Sequence, residues 1–198
     1  MKICLDLHDW SVVNNRFDLL FKLKKYFPDL KVSLFTVPID TRTDWGAYQN
    51  RGEFLKTLKE NLDWIQLIPH GLTHNGSEMR DCDYKTFKTI MVTIKDAFDR
   101  DGLPFEKGFC APHWRWSEGV VKALDEEGWW GSIDPRQNML SPKKFYRYSQ
   151  AIDKPIVDAD LKLHGHIYGT ANDLGLCFDN LLNIPPSAEW HFITDFLE

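Results

Sequence analysis

The sequence predicts an α/β protein, built as a distorted (β/α) barrel with fewer than eight strands. Short apolar runs alternate with helix-like segments along the whole chain, which is typical of a parallel sheet of βα units. The chain has 198 residues, fewer than the roughly 250 of a complete eight-stranded barrel. No repeat, low-complexity tract or linker divides it, so residues 1–198 are expected to form a single domain.

The first half of the chain contains three predicted strands, each followed by a predicted helix. Compact apolar runs indicate the strands, and apolar residues at every third or fourth position indicate the helices. The strands are expected at 3–7, 31–36 and 64–68, and the helices at 17–24, 52–61 and 83–100. A long loop is expected at 38–52.

The second half is predicted to contain shorter elements. Strands are expected at 108–110, 130–133 and 161–164, with a long loop at 135–155. Ser117 is the predicted N-cap of a helix that ends at Glu127, because a serine oxygen can accept a hydrogen bond from a free amide of the first turn. Gly128 follows as its predicted end. The segment 187–197 is predicted to be helical.

The composition argues against several classes of function. A net charge of −5 is unfavourable for nucleic-acid binding. No apolar run approaches the ~18 residues of a membrane span. The first ten residues carry acids and a histidine where a signal peptide has an apolar core, so a cytoplasmic protein is expected. The four cysteines are not spaced as CxxC pairs, and free thiols are expected.

Polar residues collect just after the predicted strands, where a parallel barrel carries its chemistry. His70 and His74 are four residues apart, a spacing that puts both rings on one face of a helical turn. Asp9 offers a carboxylate from the end of the first strand. Two histidines and a carboxylate suit a catalytic divalent metal, with Zn²⁺ as the expected ion, although iron, cobalt and nickel fit the same set. The alternative is a turn with two surface or capping histidines.

Other residues after strands are candidates for catalysis and substrate binding. His164 or His166 is the candidate general acid for a leaving amine. Strand alternation favours His164, unless Gly165 breaks it. Aromatic and basic side chains on strand-exit loops are candidates to contact the substrate, with an ordinary packing role as the alternative. They are Trp10, Trp45, His113, Trp114, Arg115 and Trp130.

These segments, in this order, resemble those of the polysaccharide deacetylase family, carbohydrate esterase family 4. The resemblance rests most on the stretches His-Gly-Leu-Thr-His at 70–74 and Gly-Phe-Cys-Ala-Pro-His-Trp at 108–114. It is closest to divergent cytoplasmic members that begin with a His-Asp pair, here His8 and Asp9. It implies that Asp9, His70 and His74 hold the metal. It also implies that residues 109–114 line a groove and that Trp130 and Asp134 lie near the substrate.

Two positions depart from the family pattern. His8 stands where the family has its acidic general base, so His8 takes that role, Asp6 reaches in instead, or the attacking water needs no separate base. Cys110 stands where the family has an arginine, for which Arg115 is the candidate substitute.

The expected function is metal-dependent hydrolysis of an amide, an N-acetyl group on a sugar or a sugar-containing substrate. Two alternatives remain open at this point. One is a hydrolase of another small or cyclic amide, or of an ester, on the same scaffold. The other is a sugar-binding relative that has lost catalysis. The expected partner is a small-molecule or carbohydrate substrate, with no nucleic acid and no membrane, and the sequence does not predict an oligomeric state.

Overall fold

A computed structural model describes residues 1–39, 50–137, 140–157 and 159–198. Trp45 lies outside these ranges. The strands are β1 (Lys2–Trp10), β2 (Val32–Thr36), β3 (Ile65–Pro69), β4 (Gly108–Phe109), β5 (Trp130–Ile133), β6 (Phe145–Arg147), β7 (Gln150–Ala151), β8 (Leu161–His166) and β9 (Glu189–His191). The helices are α1 (Phe17–Tyr26), α2 (Arg51–Lys59), α3 (Tyr84–Asp101), α4 (Glu118–Glu127) and α5 (Phe178–Leu181). Short 3₁₀ turns occupy Pro112–Trp114 and Ile193–Phe196.

The strands form a distorted parallel barrel. One sheet has the order β3-β2-β1-β8-β7, with β9 beside the first residues of β1, and a second has the order β4-β5-β6. All of these strand pairs are parallel. A bridge between His70 and Cys110 joins the ends of the two sheets. The predicted α/β class is confirmed, and of the nine strands in the described ranges only five have four or more residues.

Strand β1 is buried on both of its faces, because the barrel interior lies on one side and the helices lie on the other. Successive side chains of a strand point to opposite faces. Ile3, Leu5 and Leu7 belong to the large apolar core. Cys4 belongs to a smaller cluster with residues from β2, β3, β5 and β6 and with Cys110, just after β4, which identifies that cluster as the barrel interior. Asp6 follows Cys4 on this inner face and is therefore completely buried.

Helix α4 has the boundaries that its capping residues predict. The Ser117 hydroxyl accepts a hydrogen bond of 3.2 Å from the Val120 amide, and Gly128 ends the helix with a φ of +68°. Serine caps supply an acceptor to an amide that has no partner inside the helix, and glycine adopts the left-handed conformation without strain. The predicted N-cap and C-terminal glycine are both confirmed.

Two predictions of secondary structure in the second half of the chain are wrong. The segment 187–197 is not a helix but contains β9 and a 3₁₀ turn, because β1 offers it an open edge: the Glu189 amide donates to the Met1 carbonyl at 2.9 Å. The predicted loop 135–155 contains β6 and β7, which pair with β5 and β8. Both errors have one cause, since short apolar runs acquire strand structure from partners that are distant in sequence.

The cysteines agree with the expectation of free thiols. Cys4, Cys82, Cys110 and Cys177 are all buried free thiols. Within the described ranges, no helix has the length and apolar character needed to cross a bilayer.

Candidate metal centre and histidine cluster

Six of the seven histidines gather at the carboxyl ends of the strands. They are His8, His70, His74, His113, His164 and His166. Their rings form a continuous row, with centroid distances of 4.6 Å from His164 to His8, 4.8 Å from His8 to His70 and 4.7 Å from His70 to His74. Such a concentration of imidazoles offers both metal ligands and proton-transfer groups in one place.

Asp9, His70 and His74 converge on one point. The Asp9 Oδ1 atom lies 3.2 Å from His70 Nε2 and 3.0 Å from His74 Nε2. Burial by itself raises the pKa of Asp9, but the interactions with His70 and His74 outweigh burial and hold that pKa well below its ordinary value. Asp9 is therefore a carboxylate at neutral pH, the form that binds a metal ion.

The His70 ring is fixed in one orientation. Its Nδ1 atom lies 3.1 Å from the carbonyl oxygen of Cys110, so Nδ1 carries the hydrogen and donates it. Burial lowers the pKa of His70, which favours the neutral ring. The lone pair then lies on Nε2, the atom that faces Asp9. A hydrogen bond from the second ring nitrogen to a carbonyl is the usual way in which proteins orient a metal-binding histidine.

The segment 70–74 is a loop, so the predicted helical turn is wrong. The Glu78 carboxylate explains the loop, because its Oε1 atom accepts hydrogen bonds from the amides of Leu72, Thr73 and His74 at 2.7, 3.2 and 3.2 Å. These amides are thus held around one side chain instead of along a helix. Gly71 has a φ of +65° and allows the chain to turn. Sequence reasoning missed Glu78, whose only signal is an acid four residues after His74.

The backbone of the site adopts unusual conformations. In the part of the chain that the structure describes, four residues other than glycine have a positive φ: Asp9, His74, His113 and Trp114. At Asp9 this conformation coincides with a register shift between Leu7 and Trp10 in the pairing of β1 with β2. Backbone strain of this kind collects at functional sites, where the surrounding structure enforces it.

A second group of buried polar residues lies beside the first. Asp6 Oδ1 lies 2.7 Å from His164 Nδ1 and 3.2 Å from His8 Nε2. Asp6 Oδ2 accepts a hydrogen bond of 2.9 Å from the Tyr146 hydroxyl. Burial favours a raised pKa for Asp6, but its interactions with His164 and His8 keep that pKa well below the ordinary value. Sequence reasoning missed Tyr146, because β6 lay inside a predicted loop.

His8 and His166 are largely shielded from solvent. The His8 ring is 1% exposed, its Nδ1 atom lies 4.0 Å from Cys110 Sγ, and burial holds its pKa well below the ordinary value. The His166 Nδ1 atom lies 3.0 Å from the Asn172 side-chain oxygen, and burial lowers the His166 pKa to about 4. Strand β8 continues through Gly165, so both of its histidines lie on the inner face.

Trp114 lines the opening of the site. Its half-buried ring lies 5.0 Å from the His8 ring, 5.5 Å from the His164 ring and 5.9 Å from the Tyr148 ring. His113 is exposed, with its ring 5.6 Å from that of His74. Arg115 is also exposed.

Three residues of the predicted substrate set lie elsewhere. Trp10 is fully buried against Phe17 in the outer core, and Trp130 is buried in the barrel interior against Phe35. Neither ring has a free face for a sugar, so both are removed from the substrate-contact candidates.

Asp134, the third of these residues, is buried and binds protein groups, accepting hydrogen bonds of 2.9 Å from Arg136 Nε and from the Tyr148 hydroxyl. Burial by itself raises the pKa of Asp134, but its hydrogen bonds lower it to about 2. The Tyr148 ring stacks on His164 with centroids 4.5 Å apart. Asp134 therefore influences the site through Tyr148.

No protein-family model and no curated protein matches this sequence. Several solved structures, in contrast, are similar to the structure of this chain. A family 4 acetyl xylan esterase from Clostridium thermocellum, in complex with a cobalt ion, is 12% identical with a TM-score of 0.59, over 98% of this chain and 89% of that one. A peptidoglycan N-acetylglucosamine deacetylase is 11% identical with a TM-score of 0.61, over 98% and 86%. The chain has the fold of the family 4 carbohydrate esterases.

The same fold also occurs without activity. A family 4 pseudoenzyme from Bacillus anthracis is 12% identical with a TM-score of 0.59, over 98% of this chain and 64% of that one. The family 4 fold that the sequence resemblance predicts is thus confirmed. At these identities the fold is established and the function has to be argued from the site.

Proposed function

We propose that the protein is a metal-dependent hydrolase that removes an N-acetyl group from a sugar or a sugar-containing substrate. The observation that carries the proposal is the convergence of Asp9, His70 and His74 on one point at the carboxyl end of the barrel. Two histidines and one carboxylate leave positions open for water and substrate, as catalytic metal sites do.

The donor atoms themselves call for a cation. With its hydrogen on Nδ1, a neutral His70 presents a lone pair to the Asp9 carboxylate oxygen only 3.2 Å away. Two acceptors at this distance repel each other unless a positive charge lies between them, either a second proton on the His70 ring, which is the form that lowers the pKa of Asp9, or a cation that takes the place of that proton. Asp9 Oδ1 is also a buried atom without a hydrogen-bond partner among the described residues. A divalent cation satisfies all of these atoms at once, and we propose Zn²⁺.

Two other groups of side chains have comparable spacing but fit a metal less well. One consists of Cys110 with His8 and His70, and burial raises the pKa of the Cys110 thiol well above its ordinary value, so the thiolate ligand is disfavoured. The other consists of Asp6, His8 and His164, in which the Asp6 oxygens already hold His164 and Tyr146. The Asp9 set is the less buried group and is the one we assign to the metal.

A bound divalent ion would polarise the acetyl carbonyl and make a water molecule a better nucleophile. The protein's own residues then have to deliver a proton to the departing amine. His164 is suited to this step because the Asp6 carboxylate, 2.7 Å from its Nδ1 atom, holds the ring with Nε2 as the atom that can pass a proton to the substrate. His166 faces a neutral amide oxygen and has a pKa of about 4, so it is a poorer proton donor at neutral pH.

The base assignment follows from burial. Asp6 and His8 are 0% and 1% exposed, and the oxygens of Asp6 are engaged with His164 and Tyr146. These features support the third of the alternatives from the sequence, in which the attacking water needs no separate base. The exposed His113 and the half-buried Trp114 are placed to contact the sugar.

Metal content by elemental analysis tests the proposal. We expect about one equivalent of a transition metal in the wild-type protein and almost none in a His70→Ala, His74→Ala double variant, because that variant keeps one ligand of three. His191→Ala is the matched control, since His191 lies outside the cluster beside Asp195.

A wild-type protein that stays metal-free after incubation with zinc would contradict the proposal and favour the sugar-binding alternative. If the metal is present, steady-state rates decide the substrate class. N-acetyl sugars are expected to be hydrolysed, and activity confined to small or cyclic amides would favour the other hydrolase.

A further inference from the structure

We propose that Asp6 is a positioning residue that fixes the tautomer and orientation of His164 and holds His8 beside it, an inference that rests on the proposed hydrolase. The sequence offered Asp6 only as an alternative general base. The geometry gives it a different task, because its carboxylate bonds histidine and tyrosine side chains instead of facing the metal centre.

The register of the central strands places the pair together. Asp6 of β1 lies directly opposite His164 of β8, and both side chains are on the inner face of the barrel. A carboxylate only accepts hydrogen bonds, so the 2.7 Å contact puts a hydrogen on His164 Nδ1. The Nε2 atom is then the one that gains or loses a proton during a reaction.

Asp6 is itself held from the opposite side. Its Oδ2 atom accepts a hydrogen bond of 2.9 Å from Tyr146, a fully buried residue of β6. The Tyr146 oxygen lies 3.6 Å from Cys4 Sγ. Because the only hydroxyl hydrogen is given to Asp6, the Cys4 thiol donates to the tyrosine. Contacts from β1, β6 and β8 thus prevent the carboxylate from rotating away from His164.

His8 connects this pair to the proposed metal ligands. Its Nε2 atom lies 3.2 Å from Asp6 Oδ1, the same oxygen that bonds His164. Its ring lies 4.8 Å from that of His70 and 4.6 Å from that of His164, at nearly right angles to both. His8 therefore fills the space between the metal ligands and the His164 ring, so a change at Asp6 is expected to reach both histidines of this group.

The arrangement excludes Asp6 as the general base. A base must accept a proton from a water molecule within hydrogen-bond distance. Asp6 has no exposed surface, and both of its oxygens are occupied by His164 and Tyr146. A buried carboxylate beside an imidazole instead orients the ring and stabilises its positive form, as the aspartate of a serine-protease triad does.

Nitrogen-15 NMR of the histidine rings tests the inference without any substrate. In the wild-type protein we expect His164 to carry its hydrogen on Nδ1, with Nε2 unprotonated in the neutral form. In Asp6→Asn we expect this preference to be lost, while metal content stays near the wild-type value. Asp160→Asn is the matched control, because Asp160 is an exposed acid next to β8 that bonds the Lys2 amide.

Kinetics give the second readout. We expect Asp6→Asn to lower kcat by roughly 10²–10⁴-fold, the range that general acid catalysis contributes, with little change in KM. Tyr146→Phe removes one hydrogen bond to Asp6 and is expected to lower kcat by a smaller factor. It also keeps the inference testable if Asp6→Asn does not fold.

The outcomes separate this inference from the proposed function. If the wild type is active and holds metal, either of two results would overturn the role of Asp6 alone. One is a His164 ring that carries its hydrogen on Nε2. The other is a kcat that stays unchanged in both Asp6→Asn and Tyr146→Phe. A wild type without metal or activity would overturn the proposed function. In that case a His164 hydrogen on Nδ1 that disappears in Asp6→Asn would still support the positioning contact.

Discussion

At the scale of single residues, one unusual backbone conformation decides whether the candidate ligands can meet. Strand alternation would send Asp9 to the helix-facing side of β1, together with Leu7. The positive φ of Asp9 and the register shift after Leu7 interrupt the alternation. Asp9 thereby reaches the same site as His8, its neighbour in the chain. A sequence pattern can place an acid at the end of a strand but does not show that its backbone will turn this way.

Gly71 gives a test at the same scale. A Cβ atom at this position would lie 2.3 Å from Glu78 Oε1 and 2.6 Å from Pro112 Cγ, and the φ of +65° is strained for alanine. We expect Gly71→Ala to displace Glu78 from the loop amides, to destabilise the protein by about 2–4 kcal/mol and to weaken metal binding. Chemical denaturation and metal titration measure the two effects.

Gly128→Ala is the control for this substitution. Gly128 has a similar φ of +68°, but a Cβ atom added there would meet no other atom within 4 Å. The substitution is expected to cost only the conformational strain, about 1 kcal/mol, and to leave metal binding unchanged. Equal losses of stability and of metal affinity in both variants would show that strain, and not the Glu78 contact, matters at Gly71.

Residues of the site differ in how well the sequence predicted them. Asp9, His70 and His74 could be proposed because a strand end and a four-residue spacing are local features. Glu78 and Tyr146 could not, because their importance comes from contacts with a loop and a strand whose geometry the sequence does not show. Trp10 was misjudged for a related reason: it is the last residue of β1, but its ring packs into the outer core.

At the scale of secondary structure elements, capping chemistry was the most predictable feature. Helix α4 begins and ends where Ser117 and Gly128 indicate, because a cap depends on neighbours within three residues. The segment 187–197 failed because its structure depends on the distant edge of β1. A helix cap, whose hydrogen bonds are local, is thus predictable from the sequence, whereas a short strand such as β9, which forms only against a distant edge, is not.

The Ser117 cap gives a prediction for the stability of α4. Its hydroxyl accepts from the Val120 amide and donates to the Cys82 carbonyl, which joins α4 to the segment just before α3. We expect Ser117→Ala to lower the free energy of unfolding by about 1–2 kcal/mol. Ser187 is exposed and provides the control, because Ser187→Ala is expected to change the free energy of unfolding by less than about 0.5 kcal/mol. Urea denaturation measures the free energy of unfolding of both variants. Equal losses in Ser117→Ala and Ser187→Ala would contradict the stabilising role of the Ser117 cap.

At the scale of the whole molecule, the fold persists although about nine residues in ten differ from those of its structural neighbours. A barrel of this type needs apolar residues on both faces of its central strand and turns at the strand ends, and many sequences meet those demands. The general architecture was therefore predictable from the alternation of elements. The joining of the two sheets was not, because it depends on backbone hydrogen bonds between segments that are distant in sequence, such as those at the bridge between His70 and Cys110.

A metal ion at the Asp9 site would connect β1 to the loop that follows β3, so its removal is expected to affect the stability of the whole protein. A ligand at 100 times its dissociation constant stabilises the native state by about 2.7 kcal/mol. For a protein of this size, the loss of that stabilisation when a chelator removes the ion corresponds to a fall in Tm of roughly 5–10 °C. Differential scanning calorimetry with and without chelator measures it. In the His70→Ala, His74→Ala variant we expect the chelator to leave Tm unchanged, whereas in His191→Ala we expect the same fall in Tm as in the wild type. An equal shift in the double variant would place the stabilising ion elsewhere, since that variant lacks two of the three ligands.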